Sequence, residues 1–239
     1  MKQVILVTGA NHGLGYGIVL SLLQRGHVVL AGVYPKLWHE LDALQDQYGD
    51  RLILIPMDVS DRDSLLEARE AVRQHTDHLD VIINNAGVLA KDGDNTIEAP
   101  FDEAAIIACM QVNTFGPMRV TEIFLPLLAQ GAGKRLCYVS SEAGSVGECF
   151  RDRMYGYCMS KGALNNAVAI TFNCLRPQGY TFRCYHPGWV RSYMSGHKGT
   201  EADLEPEEAG RLAADYFLGD EEDEDRLRLR GYDGKVWSW

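Results

Sequence analysis

The chain has 239 residues, is 46% hydrophobic and carries a formal net charge of −10 with a pI near 5.1. That length suits one domain with a large core rather than two, and the acidic balance lacks the clustered Lys and Arg that nucleic acid demands. No run approaches the roughly 18 apolar residues of a membrane span, and the first residues pass straight into an apolar strand-like stretch without a basic leader and signal core, so a soluble, cytoplasmic protein is expected.

Short β-branched runs alternate with longer stretches of helical period. Val4 to Val7, His27 to Val33, Leu52 to Pro56, Val81 to Ile83, Leu136 to Val139 and Tyr180 to Tyr185 read as strands. Between them, Leu37, Leu41 and Leu44 share a helical face in Lys36 to Tyr48, as do Leu65, Ala68 and Val72 in Asp61 to His75. Repeated βαβ units require right-handed crossovers, so the expected fold is a single-domain α/β doubly wound Rossmann arrangement. Its sheet would be seven-stranded and mainly parallel, with helices on both faces and ligands gathered at the strands' carboxyl ends. Ser192 to Pro206, with Gly196 and Gly199, reads as a loop that lids the substrate. The acidic run Asp220 to Asp225 reads as a solvated turn.

The six cysteines, Cys109, Cys137, Cys149, Cys158, Cys174 and Cys184, show no CxxC spacing. They read as reduced, mostly buried thiols, and no metal site is expected.

The first strand ends in Thr8-Gly9-Ala10-Asn11-His12-Gly13-Leu14-Gly15 and runs into a helical stretch. Glycines there allow a tight turn and close approach of the backbone to a pyrophosphate, and the helix start offers unpaired N–H groups to that anion. Downstream stand Asp58-Val59 after the third strand, Asn84-Asn85-Ala86-Gly87 after the fourth, Asn113 in QVN, Tyr157 and Lys161 in YxxxK, and Pro187-Gly188-Trp189-Val190-Arg191-Ser192 after the sixth. Taken together and in this order, the motifs resemble those of the short-chain dehydrogenase/reductases, over nearly the whole chain. The ending Gly231 to Trp239 is similar to that of the C-factor-like carbonyl reductase branch.

The resemblance implies an oxidoreductase that moves a hydride between NADP(H) or NAD(H) and a small carbonyl or alcohol. Thr8, Gly9, Asn11, His12, Gly13, Leu14, Gly15, Tyr34, Asp58, Val59, Asn85, Ala86, Gly87, Tyr157, Lys161, Pro187, Gly188, Val190 and Ser192 would line the dinucleotide. No acidic residue lies between His27 and His39 to bond a ribose 2′-hydroxyl and repel a 2′-phosphate, which favours NADP; His12 and Lys36 are donors for that phosphate.

Tyr157 and Lys161, four apart on a helix, share a face, and an ammonium beside a phenol favours the phenolate. The resemblance makes Tyr157 the general acid/base, Lys161 the ribose ligand and Asn113 the holder of a water in the proton chain. Ser141, at the end of the fifth strand, is the donor to the substrate oxygen, with Ser140 and Ser145 as alternatives because Ser141 lies 16 residues before Tyr157. Trp189, Cys149, Phe150 and Met194 fall on segments that border a partly apolar substrate cleft. His186 reads as strand-end structure, and Trp237 and Trp239 as packing or subunit contacts. Relatives pair through the helices carrying Asn113 and Tyr157, implying a homodimer or homotetramer. The competing reading is a dinucleotide-binding sensor that turns over no substrate.

Overall fold

The computed structural model describes residues 2–34, 40–90, 96–100, 102–192, 194 and 201–239. Its strands are β1 (Val4–Val7), β2 (Val28–Val33), β3 (Leu52–Pro56), β4 (Val81–Asn84), β5 (Arg135–Val139), β6 (Thr181–His186), β7 (Leu229–Gly231) and β8 (Val236–Trp237). They form one sheet in the order β3-β2-β1-β4-β5-β6-β7-β8. Every neighbouring pair is parallel except β7 with β8. The sheet thus has eight strands among the described residues, not the expected seven. The extra strand arises because the chain reverses at Gly231–Gly234, where Gly231 N–H donates to Lys235 O at 2.7 Å and Gly234 takes a φ of +84°.

Alternation along the strands divides the core between the two faces. Ile5 and Val7 of β1 point to one side, with Val29, Val81 and Ile83, and pack under α1 (Gly13–Gln24) and α7 (Pro206–Leu218). Leu6 points to the other, with Leu30, Ile82 and Leu136, under α3 (Arg62–Arg73), α5 (Gly116–Gln130) and α6 (Tyr155–Leu175). α1 and α7 touch backbone to backbone: a Cβ on Gly210 would lie 1.9 Å from the Gly17 carbonyl carbon. The remaining helices are α2 (Asp42–Tyr48) and α4 (Glu103–Met110). The predicted start of α2, including Lys36 and Leu37, lies outside the described residues.

Strand order reverses direction between β1 and β4, so the segments after these two strands part to opposite faces and leave a crevice at their carboxyl ends. Thr8, Asn85, Ser141 and Pro187 all follow immediately or within two residues of β1, β4, β5 and β6. Topology alone therefore gathers the predicted motifs at one edge.

The acidic run is not simply solvated. Glu224 accepts from both terminal nitrogens of Arg183, at 2.6 and 2.8 Å, and the Arg183 side chain has no exposed surface. Arg183 also donates to the Phe182 and Gly219 carbonyls, while Arg176 pairs with Asp225 and Arg135 with Asp220. A β6 residue that alternation turns inward is an arginine, and its charge needs this partner. Burial opposes the Glu224 carboxylate, but the Arg183 hydrogen bonds and charge outweigh it and hold its pKa below the ordinary 4.5. Glu224→Ala is expected to lower unfolding stability by about 3 kcal/mol, because it strands a buried guanidinium. In urea titrations the wild-type advantage over Glu224→Ala should be full above pH 4.5 and shrink as pH falls through the lower, folded value.

Candidate active site

The glycine turn is held by hydrogen bonds from the neighbouring strand's loop. Asn85 Nδ2 donates to the carbonyls of Thr8 and Gly9 at 2.9 and 3.0 Å, and the Thr8 hydroxyl accepts from the N–H groups of Asn85 and Ala86, both at 3.0 Å. Gly9 has a φ of +62°, and a Cβ there would lie 2.8 Å from Ala86 Cα, so only glycine allows the two loops to meet. Asn11 makes a two-way bond with the Tyr34 backbone, 2.9 Å in each direction, which ties the turn to the end of β2. His12 is the residue before α1, and burial pulls its pKa down. Leu14 and Gly15 follow in the helix's first turn, where N–H groups lack helical partners.

The other predicted dinucleotide residues follow β3 and β6. Asp58 accepts from both the N–H and hydroxyl of Ser60, and Val59 packs against Gly116 at the start of α5. Gly188 has a φ of +75° and abuts the Tyr232 ring, turning the chain after Pro187. Val190 pairs with Leu204, which pins the far end of the expected lid, and Ser192 reaches Gly13 closely enough that a Cβ there would lie 2.9 Å from the Ser192 Cβ. Most of that segment between Ser192 and Glu201 lies outside the described residues.

Asn113 sits in a π-helical turn, Gln111–Phe115, between α4 and α5, a widening that periodicity did not reveal. Its side chain mimics a backbone partner for Val88, accepting from the Val88 N–H and donating to the Val88 carbonyl, both at 2.8 Å. Nδ2 also donates to Ser160 Oγ at 3.0 Å, and Ser160 donates to the Tyr157 carbonyl at 2.7 Å. The loop after β4 is thereby joined to the first turn of α6. Ser160 and the adjacent Cys109, 3.2 Å from Asn113 Nδ2, were not anticipated; Ser160 stood unremarked inside YxxxK.

Lys161 lies one turn beyond Tyr157 on α6 and is almost wholly buried; its Nζ donates to Val139 O at 3.0 Å and stands 5.8 Å from the Tyr157 ring centre. Gly87 keeps the floor between these groups open, since a Cβ there would come 3.4 Å from Asn113 Oδ1 and 3.6 Å from Lys161 Nζ. Such a glycine-floored cradle, lined by amide and ammonium donors beside a helix start, fits a dinucleotide with its phosphate and ribose oxygens. Burial brings the Lys161 pKa down to about 8 and pushes the Tyr157 phenol up to about 12, the latter despite a hydrogen bond with Ser141.

Of the three serines, Ser141 is the one that acts on the Tyr157 phenol, favouring its ionised form, while its own hydroxyl donates to Glu142. Ser140 donates to Asn165 Oδ1 at 2.6 Å, and Ser145 donates to Ser238 O at 2.5 Å. The long spacing to Tyr157 is taken up by a short 3₁₀ turn, Glu142–Gly144, capped by the Ser141 hydroxyl, which accepts from Ala143 N–H at 3.1 Å. Glu142, absent from the predicted site, accepts from Ser141 at 2.5 Å, pairs with Arg151 and lies 3.2 Å from His186 Nδ1. His186 itself is partly buried at the end of β6, and burial pulls its pKa below the ordinary 6.5. Trp237 packs edge-on to His186 at 5.7 Å, and the Gly147 N–H donates to Trp239 O, so the final strand lies along the loop after Ser141. Phe150, Trp189, Met194 and Cys149 are exposed on segments after β5 and β6. Only Cys109, Cys137 and Cys184 are buried, fewer than expected, because Cys149 and Cys174 fall on outward surfaces and Cys158 on a half-buried one.

A family model described as short chain dehydrogenase matches residues 3–203. The chain is 41% identical to C-signal of Myxococcus xanthus over 125 residues, 52% of this chain and 74% of that protein. It is 31% identical to estradiol 17-beta-dehydrogenase 2 of Mus musculus over 210 residues, 86% of this chain but only 53% of that longer protein. Among solved structures, the carbonyl reductase Sniffer of D. melanogaster superposes with a TM-score of 0.87 at 26% identity over 100% of both chains. An NADPH-bound carbonyl reductase from chicken fatty liver gives 0.85 at 28% identity, over 100% of this chain and 99% of that one. The chain belongs to the short-chain dehydrogenase family. It is accordingly an NAD(P)-dependent oxidoreductase.

A buried ammonium disfavours the folded state wherever it is charged, so Lys161 exacts stability in exchange for chemistry. Lys161→Met in the dinucleotide-free protein is expected to raise stability at pH 7 by on the order of 1–3 kcal/mol, seen as a melting temperature several degrees higher, while abolishing turnover. Because the folded pKa is about 8 and the ordinary one 10.5, that gain should be complete below pH 8 and vanish as pH rises past 10.5. Melting curves of both proteins across this range check it.

Proposed function

We propose that the protein is an NADP(H)-dependent carbonyl reductase acting on a small, partly apolar substrate. The observation that carries this reading is the convergence of Ser141, Tyr157 and Lys161 at the carboxyl end of β5, beside the glycine turn and the Asn85–Gly87 loop. NADP rather than NAD is supported by the absence of an acidic residue between His27 and His39 and by neighbours that carry NADP or NADPH. Thr8 to Gly15, Tyr34, Asp58, Val59, Asn85 to Gly87, Pro187, Gly188, Val190 and Ser192 would hold the dinucleotide, with Tyr34 half exposed at the end of β2.

A bound reduced nicotinamide supplies a hydride to the carbonyl carbon. Tyr157 gives its phenolic proton to the carbonyl oxygen, completing the alcohol, and Lys161 steadies the resulting phenolate until a proton returns from solvent. Ser141 donates a hydrogen bond to the oxygen while negative charge gathers there. Asn113 sets the spacing between the Val88 loop and α6 that brings these groups together. Exposed Phe150, Trp189 and Met194 supply apolar surface for the substrate's remainder.

We assign the protein to the cytoplasm and to a homodimer or homotetramer. All six thiols are free, which suits a reducing compartment. Ile107, Phe115 and Met118 are exposed on α4, the π turn and α5, which supports pairing across that face. No helix among the described residues is long and apolar enough to cross a membrane.

Titration with NADPH and NADH, followed by turnover of a panel of aldehydes and ketones, tests the assignment. NADPH is expected to bind tighter, and Tyr157→Phe to lower kcat by ~10²–10⁴-fold while still binding the nucleotide. Binding without turnover of any carbonyl would favour the sensor reading, and no binding of either nucleotide would defeat both. A phenol near 12 remains protonated through neutrality and Lys161 keeps its charge below about 8, so the reduction rate should be flat between pH 6 and 7 and fall as pH passes 8.

A further inference from the structure

Glu142 occupies a position that the hydride-transfer scheme leaves idle. Its carboxylate accepts from the Ser141 hydroxyl at 2.5 Å. A serine has one hydrogen to give. While it is directed at Glu142, the Ser141 oxygen is also accepting from Ala143 N–H, so nothing on Ser141 remains to donate to a substrate oxygen. Glu142 is not free to swing away. Arg151 pairs with its other oxygen, His186 Nδ1 lies 3.2 Å from Oε2, and the side chain is largely buried. Burial works against the carboxylate, yet the hydrogen bonds from Ser141 and Arg151 and the Arg151 charge outweigh it and hold its pKa below the ordinary 4.5. The stable element is therefore the carboxylate, and the movable one is the serine hydrogen.

From this geometry we infer that Glu142 is a specificity-determining residue, selecting carbonyl compounds that carry a hydroxyl or amine on the neighbouring carbon. A plain ketone has to draw the Ser141 hydrogen off an ionised acceptor, and Glu142 Oε2 then loses its one short hydrogen bond in a mostly buried site. A vicinal O–H or N–H takes over the Glu142 oxygen next to Ser141, which releases the serine hydrogen to the carbonyl oxygen. The carboxylate stays satisfied throughout. Hydride and proton go where the proposed reductase reaction already sends them, so no further reactant is needed. The inference rests on that reaction and on Ser141 as its donor.

The test is NADPH-dependent reduction of a matched pair, acetophenone and 2-hydroxyacetophenone, by the wild type, Glu142→Ala and Glu142→Gln, with kcat/KM measured for each. A charge-assisted hydrogen bond of about 1.5–3 kcal/mol corresponds to a wild-type preference for the hydroxyketone of roughly 10- to 100-fold. In Glu142→Ala the two substrates are expected to move in opposite directions, the hydroxyketone falling and acetophenone rising several-fold, so that the preference approaches unity. Glu142→Gln keeps the side-chain shape and should lower the preference in the same direction. A parallel fall for both substrates, or an unchanged ratio in both variants, would overturn the inference and leave Glu142 a brace for the loop. Failure of the wild type to reduce either ketone, or any other carbonyl, would instead defeat the reductase reading beneath it.

Discussion

The joint between the ends of β1 and β4 is the constraint on which the rest of this molecule's site depends. Thr8 and Asn85 exchange side-chain and backbone hydrogen bonds across the point where the sheet reverses its order. The glycine turn, the crevice floor at Gly87 and the start of α1 are thereby held in one fixed relation. Asn113 extends the same rigidity to Val88 on one side and to Ser160 on the other, so α6 is registered against the loop after β4 by polar contacts that are buried or partly buried. Buried and fully paired, such a network specifies one arrangement.

Against this rigid half stands a second half built from charges. Lys161 is ionisable and almost wholly buried, with a carbonyl as its anchor, and its lowered pKa records the cost. Glu142, Arg151 and His186 form a cluster around Ser141, and the last strand with Ser238 and Trp239 lies along the loop that leads out of it. Far from the site, Arg183 and Glu224 repeat the theme under the edge of the sheet, where the run that reads as a solvated acidic turn supplies the partner for a buried cation. There the charge inside the protein is matched by a segment 41 residues away in sequence.

The order of the elements, the parallel sheet and the main motif positions were legible because they rest on local rules. Alternation placed Ile5 and Val7 opposite Leu6, and spacing four apart put Tyr157 and Lys161 on one face of α6. The preference for Ser141 over Ser140 and Ser145 came from the strand end together with the family resemblance, and in the structure all three hydroxyls have partners, Glu142, Asn165 and Ser238 respectively. The π turn at Asn113 was not legible, because its extra residue is stabilised by Val88 and Ser160 rather than by helix propensity.

What the sequence determined by itself was the βαβ alternation and the doubly wound class, since periodicity and turn residues act within a few residues of chain, while its motifs in their order marked the resemblance to a family. Only the tertiary structure decided that Glu142 takes the Ser141 hydrogen, that His186 and Arg151 steady Glu142, and that Glu224 neutralises Arg183. His186 ends β6 while Glu142 follows β5, and Glu224 reaches Arg183 from 41 residues away. A charge's partner across such a distance is chosen by folding, through the free energy of leaving either one buried alone.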